Sequence, residues 1–141
     1  MSERSAASVG YSGTPLARKL GLKEGMAVHV AQAPAGYRDW LAPLPAGLRW
    51  LPRLSAEAAL VHLFTDERRV LGETLRRCRE RLGTEAVVWV SWPKKSVKVP
   101  TDITEDTIRE VALPLDYVDV KVCAVSDIWS GLKLVVRKEL R

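Results

Sequence analysis

Ala86-Val87-Val88-Trp89-Val90-Ser91-Trp92 is an apolar run interrupted only by Ser91 that stops at Pro93, whereas further on Val118, Val120, Val122 and Ala124 alternate with Asp119, Lys121 and Cys123. A continuous run suits a strand buried on both faces, and alternation suits a strand with one wet face. Only Ser126 to Gly131 separates the alternating stretch from a second one, in which Leu132, Leu134 and Val136 alternate with Lys133 and Arg137. A connection that short closes a hairpin and has no room for a crossover helix. These two stretches together predict a parallel sheet that ends in an antiparallel pair.

Working back toward the N-terminus, Leu60-Val61-His62-Leu63-Phe64 is a second buried-strand run, and Met26 to Ala31 is a third strand, ending in the loop Ala33-Pro34-Ala35-Gly36. Leu48 to Leu51 is a short, weak strand between proline-bearing turns. From Asp66 to Leu82 the apolar residues Leu71, Leu75, Cys78 and Leu82 recur at helical spacing, and Gly83 ends the helix. Further helices are expected from Thr14-Pro15, read as an N-cap with proline at the first helical position, over Tyr37 to Leu41, and after Thr104, where Glu105 and Asp106 suit the helix dipole and Pro114 limits the length. This order predicts an α/β fold of three layers, Rossmann-like, with a mostly parallel sheet closed by a C-terminal antiparallel hairpin. Residues 1–10 read as a flexible tail and residues 11–141 as a single domain.

The strand, long helix, strand, short helix and terminal hairpin from Ala58 to Arg141 resemble the second half of a truncated methyltransferase-like Rossmann fold. Across the chain, Tyr11-Ser12-Gly13-Thr14-Pro15-Leu16, Val61-His62-Leu63-Phe64, Val90-Ser91-Trp92-Pro93-Lys94-Lys95, Val118 to Val125 and Trp129-Ser130-Gly131-Leu132-Lys133 resemble a family of small bacterial proteins, domain of unknown function 3052. That family resemblance implies no established activity. The methyltransferase resemblance implies S-adenosylmethionine, whose site needs a glycine-rich turn after the first strand and an acid after the second. Gln32-Ala33-Pro34-Ala35-Gly36 holds one glycine, and Leu48-Arg49-Trp50-Leu51-Pro52-Arg53 holds no carboxylate. No cofactor is therefore expected.

A chain of 141 residues carries one core of moderate size. Its longest apolar runs are too short to cross a bilayer, and Met1 to Val9 lacks the apolar segment of a secretory signal, so the expected location is cytoplasmic. Cys78 and Cys123 lack metal or redox spacing and read as free thiols. A net charge of +5 favours an anionic partner. Nucleic acid is disfavoured, because acids interrupt the basic face of the Arg68 to Arg81 helix, where Glu73 is expected to pair with Arg77 and Arg76 with Glu80.

Ligands of open α/β sheets bind beyond the carboxyl ends of the parallel strands. Ser91, Trp92, Lys94 and Lys95 end one such strand with an aromatic ring and two ammonium groups, suited to an anionic or planar small molecule. The competing account is a solvated basic loop beside a packed tryptophan. Asp127, Trp129 and Ser130 in the hairpin connection are the second candidates. His29 and His62 read as possible neighbours across the sheet but lack a third metal ligand, so no metal is expected, and no known catalytic motif is present. The leading expectation is a non-catalytic binding or regulatory module with an anionic-ligand or partner site. The alternatives are a divergent S-adenosylmethionine-dependent transferase, and a protein-interaction subunit using the terminal hairpin.

Overall fold

The structure, a computed structural model, describes residues 13–141; the expected tail lies outside the described residues. Strands β1 (Ala27–Ala31), β2 (Arg49–Leu51), β3 (Leu60–Phe64), β4 (Val87–Pro93), β5 (Tyr117–Ala124) and β6 (Trp129–Val136) form one sheet in the order β2-β1-β3-β4-β6-β5. The first four are parallel, and β6 enters antiparallel between β4 and β5. The α/β architecture expected from the apolar runs is the one found. All five residues of β3 are buried, as its continuous run requires.

One face of the sheet presents Val61, Leu63, Val88, Val90, Leu132 and Leu134 to helices α3 (Arg68–Arg81) and α4 (Glu105–Ala112). Helix α3 buries the predicted stripe of Leu71, Leu75 and Cys78. At the start of α4 the Thr104 hydroxyl accepts from the Thr107 N–H at 3.2 Å, and the Thr107 hydroxyl accepts from the Thr104 N–H at 3.1 Å. This is a capping box with threonine in the place usually held by Glu or Gln. The other face presents Leu60, Phe64 and Trp89 to two short helices, α1 (Leu16–Leu20) and α2 (Tyr37–Trp40). The Trp89 indole N–H donates to the Leu20 carbonyl at 2.9 Å and fastens α1 to the sheet.

Several local expectations need correction. The N-cap of α1 is Pro15 rather than Thr14, because the Pro15 carbonyl already accepts the first helical bonds, from Arg18 and Lys19. The alternation in β5 is broken by a register shift between Asp119 and Lys121. Val120 drops out of the ladder, and Val120 and Val122 are each 54% exposed, while Asp119 turns under α4 to accept from the Arg109 Nε at 3.1 Å. On α3, Glu73 pairs with Arg69 at 3.2 Å rather than with Arg77, and Arg68 reaches across to Glu110 on α4 at 2.9 Å.

Candidate functional site

Strand β1 is followed by β2 on one side and, after a crossover, by β3 on the other, so the strand order reverses between β1 and β3. Beside that reversal, beyond the carboxyl ends of β1 and β2, lies a cleft of about 570 Å³ walled by Val30, Pro34, Arg38, Asp39, Trp50 and Leu51. The loop that forms its floor bends at Gln32 (φ 62°) and again at Gly36 (φ 84°). A non-glycine residue in this left-handed region is uncommon, and such outliers cluster at binding loops. The tight turn is kept here with glutamine in its first bend. The amide N–H groups of Ala33, Ala35 and Gly36 find no protein acceptor among the described residues.

On the β2 side, the Leu51 carbonyl lies 2.9 Å from the His29 Nδ1, and the chain continues into Pro52 and Arg53 without an acid. The Arg38 guanidinium lies 4.3 Å above the centre of the Trp50 ring, a cation–π contact. Asp39 is the one carboxylate among the lining residues.

A buried polar chain holds the inner wall. The Tyr37 hydroxyl is 2.8 Å from His62 Nδ1, and His62 Nε2 is 2.8 Å from the Ser91 hydroxyl. Phe64 stacks on the imidazole at 4.3 Å between centroids. Burial drives His62 down to about 3, so its ring is neutral at physiological pH, with one nitrogen donating and the other accepting. Burial also pushes the Tyr37 phenol well above its ordinary value. Ser91 and His62 have the spacing of a nucleophile and its base. Burial disfavours the imidazolium that would form if His62 took the serine proton, and the ring joins Tyr37 to Ser91 as a neutral bridge.

The residues expected to form a site are divided by the pleat of the sheet. Ser91 is fully buried on the α1/α2 face, and Trp92 packs into the opposite core beside α3 and α4. Beyond them the backbone N–H of Lys94 donates to the Ile128 carbonyl at 2.8 Å, and Trp129 pairs with Pro93 and sets its ring edge-on to Phe64 at 5.1 Å. Lys94, Lys95, Asp127, Trp129 and Ser130 thus share one end of the sheet. His29 and His62 lie on opposite faces, because His29 is in register with Val61, and no group of three metal-ligating side chains occurs among the described residues. Tyr37, Arg38 and Trp50 were not singled out by sequence reasoning. The aromatic residues flanking Arg38 and Arg49 were the available signal.

No family model and no curated protein matches the chain. Among solved structures it is similar to a protein assigned to the type 11 methyltransferases from Sulfolobus solfataricus, with a TM-score of 0.62, 10% identity, and coverage of 87% of this chain and 90% of that one. It is also similar to mitomycin 7-O-methyltransferase, with a TM-score of 0.61, 10% identity, and coverage of 81% of this chain but only 49% of that one, so it spans about half of that enzyme. A third similar structure is magnesium protoporphyrin IX methyltransferase from Synechocystis PCC 6803, with a TM-score of 0.55, 11% identity, and coverage of 86% and 74%. The likeness is one of fold, and the fold is the methyltransferase-like Rossmann fold, with a mostly parallel six-stranded sheet and an antiparallel C-terminal hairpin.

Proposed function

We propose that the chain is a divergent relative of the S-adenosylmethionine-dependent transferases that holds an adenosyl-type ligand in the cleft between the ends of β1 and β2. The observation that carries this reading is the cleft's position, beyond the carboxyl ends of parallel strands and beside the point where their order reverses. Magnesium protoporphyrin IX methyltransferase, which shares the fold, was solved with S-adenosylmethionine bound. Trp50, Val30 and Leu51 suit a flat, largely apolar ring. The glycine-rich turn and the β2 acid that would fix the ribose and the amino-acid end are missing, so the cleft fits this cofactor only in part. No transfer step is assigned to it.

A second reading, a non-catalytic binding or regulatory module, is favoured by the buried Tyr37–His62–Ser91 chain, whose imidazole burial keeps neutral behind the cleft. In either reading the end of the sheet carrying Lys94, Lys95, Asp127, Trp129 and Ser130 offers a contact surface for an anionic acceptor or partner. Both readings take residues 11–141 as one domain working in the cytoplasm, grouped with the small bacterial family it resembles. Among the described residues no helix is long and apolar enough to cross a membrane.

Calorimetry with S-adenosylmethionine and S-adenosylhomocysteine tests the cleft. Saturable binding that Trp50→Ala weakens by about tenfold or more supports it, since aromatic stacking on a base is worth roughly 1–3 kcal/mol. Absence of binding by every adenosyl compound refutes it. Binding without any production of S-adenosylhomocysteine across a panel of acceptors selects the non-catalytic reading.

A further inference from the structure

Helix α3 holds a glycine that its own packing does not call for. Gly72 sits in the middle of the helix without left-handed backbone, and a Cβ there would meet only Val111 Cγ1, at 3.9 Å, an ordinary contact. Glycine inside a helix lowers stability relative to alanine, and neither backbone strain nor crowding among the described residues reserves this position for it. What the missing side chain leaves open is a groove of about 660 Å³ between α3 and α4, whose apolar lining is Gly72, Val111, Pro114 and Leu115. Leu113, in the same turn as Pro114 and Leu115, is 51% exposed. The groove shares no lining residue with the cleft beyond β1 and β2.

Its charged lining is unevenly matched. Arg68 pairs with Glu110 at 2.9 Å, Arg69 pairs with Glu73 at 3.2 Å, and Asp102 accepts from the Arg68 backbone N–H at 2.6 Å. Each carboxylate of the groove is thus engaged, and Arg76 is left over. The pairing with Glu80 expected from their spacing is not made, and Arg76 has no carboxylate partner among the described residues. Over Arg68–Arg81 as a whole, six arginines stand against two glutamates. A small anion would satisfy Arg76 but leave the apolar strip wet. Nucleic acid would set its phosphates against Glu73 and Glu110 as well as the arginines. A helix with one apolar and one acidic face meets both features.

We propose that the α3–α4 groove docks an acidic amphipathic helix of a partner protein, with its apolar stripe seated over Gly72 and Val111 and a carboxylate meeting Arg76. The absent side chain at position 72 lets the incoming backbone come close, the geometric use of glycine at a recognition surface.

The test is fluorescence anisotropy of a labelled peptide of about 18 residues, with leucine at i, i+3, i+4 and i+7 and glutamate on the remaining face, titrated with the full chain. A peptide of the same composition in scrambled order is the control. The ordered peptide should bind saturably, tighter than about 1 mM and about tenfold or more tighter than the scrambled one. Gly72→Leu should fill the groove and weaken binding about tenfold or more, while melting no lower than wild type because leucine is the better helix former. Arg76 is exposed, so Arg76→Glu should weaken binding more modestly, about threefold, with the wild-type advantage shrinking as salt is raised. Absence of binding, equal binding of the two peptides, or binding untouched by Gly72→Leu would each overturn the proposal. A duplex DNA oligomer that binds more tightly than the peptide and is weakened by Arg76→Glu would assign the surface to nucleic acid instead. Self-association of the wild type that Gly72→Leu abolishes would make a second copy the occupant, and either result overturns the partner-helix assignment.

Discussion

His62 makes the fold sensitive to acid in a window set by its burial. In the folded chain its proton affinity is depressed to about 3, against an ordinary value of 6.5. Below pH 6.5 the unfolded chain takes up a proton that the folded chain refuses, so stability is intact above that pH and falls as pH drops toward 3. At pH 4 the ratio of the two proton affinities acts almost in full on the unfolded side, a factor of roughly 300, or about 3 kcal/mol at 1.4 kcal/mol per decade. The matched variant is His62→Gln, which keeps one donor and one acceptor for Tyr37 and Ser91 but does not titrate. Urea unfolding followed by tryptophan fluorescence, at about pH 7 and about pH 4, gives the difference for each protein. Carboxylates contribute equally to both, so the double difference isolates residue 62. Wild type should lose about 3 kcal/mol more than the variant over this interval. Equal losses would mean that the imidazole is not held neutral by burial, and the neutral bridge from Tyr37 to Ser91 would fall with it.

Two glycines should respond in opposite directions. A Cβ on Gly131 would come within 2.9 Å of Val125 Cγ2 and 3.3 Å of Trp89 Cε3, both buried, and Trp89 is tethered through its indole N–H; Gly131→Ala should therefore lower stability by roughly 1–2 kcal/mol in denaturant titration. On Gly72 the nearest atom would be Val111 Cγ1 at 3.9 Å, so Gly72→Ala in the middle of α3 should raise stability by roughly 0.5–1 kcal/mol, and a loss there would contradict the α3–α4 packing. Thr104→Ala removes one half of the capping box and should lower the thermal midpoint by the equivalent of about 1 kcal/mol, with Thr104→Asp recovering most of it. Light scattering after size exclusion should find a monomer, because the free edge of β5 carries both a bulge and Lys121, two devices that discourage strand pairing; a dimer dissociated by Val122→Lys would show that this edge associates after all.

What could be read from residues alone was whatever depends on local periodicity. The continuous runs at β3 and β4, the apolar stripe of α3, the Thr104 cap and the hairpin each declare themselves within a few positions, although the connection is 125–128 rather than Ser126 to Gly131, because Trp129, Ser130 and Gly131 pair within β6. The missing carboxylate after β2 was equally legible. The bulge in β5 was hidden, because Val-Asp-Val-Lys-Val alternates without a break while the ladder slips at Asp119 and Lys121. The polar chain was hidden for another reason: Tyr37, His62 and Ser91 come from three separated elements, and only the side-by-side register of β3 and β4 and the docking of α2 set each 2.8 Å from the next. Ser91 and Trp92 were read as one patch although adjacent residues of a strand face opposite ways, a consequence of period two that the loop-centred reading passed over.

The uneven layering of the sheet bears on how the cleft can be detected. One face is covered by the fourteen-residue α3 together with α4, the other by helices of five and four residues, far below the length at which a helix persists without support. Helix α2, which carries Tyr37, Arg38 and Asp39, exists by docking alone. Local opening then costs least in the wall of the cleft and most in β3 and β4, so backbone amide exchange should be fastest in residues 32–41 and slowest at the centre of the sheet. A molecule seated in the cleft would slow that fast segment selectively. Exchange measured by mass spectrometry in the presence of a metabolite mixture thus yields a footprint of occupancy even while the occupant is still unidentified.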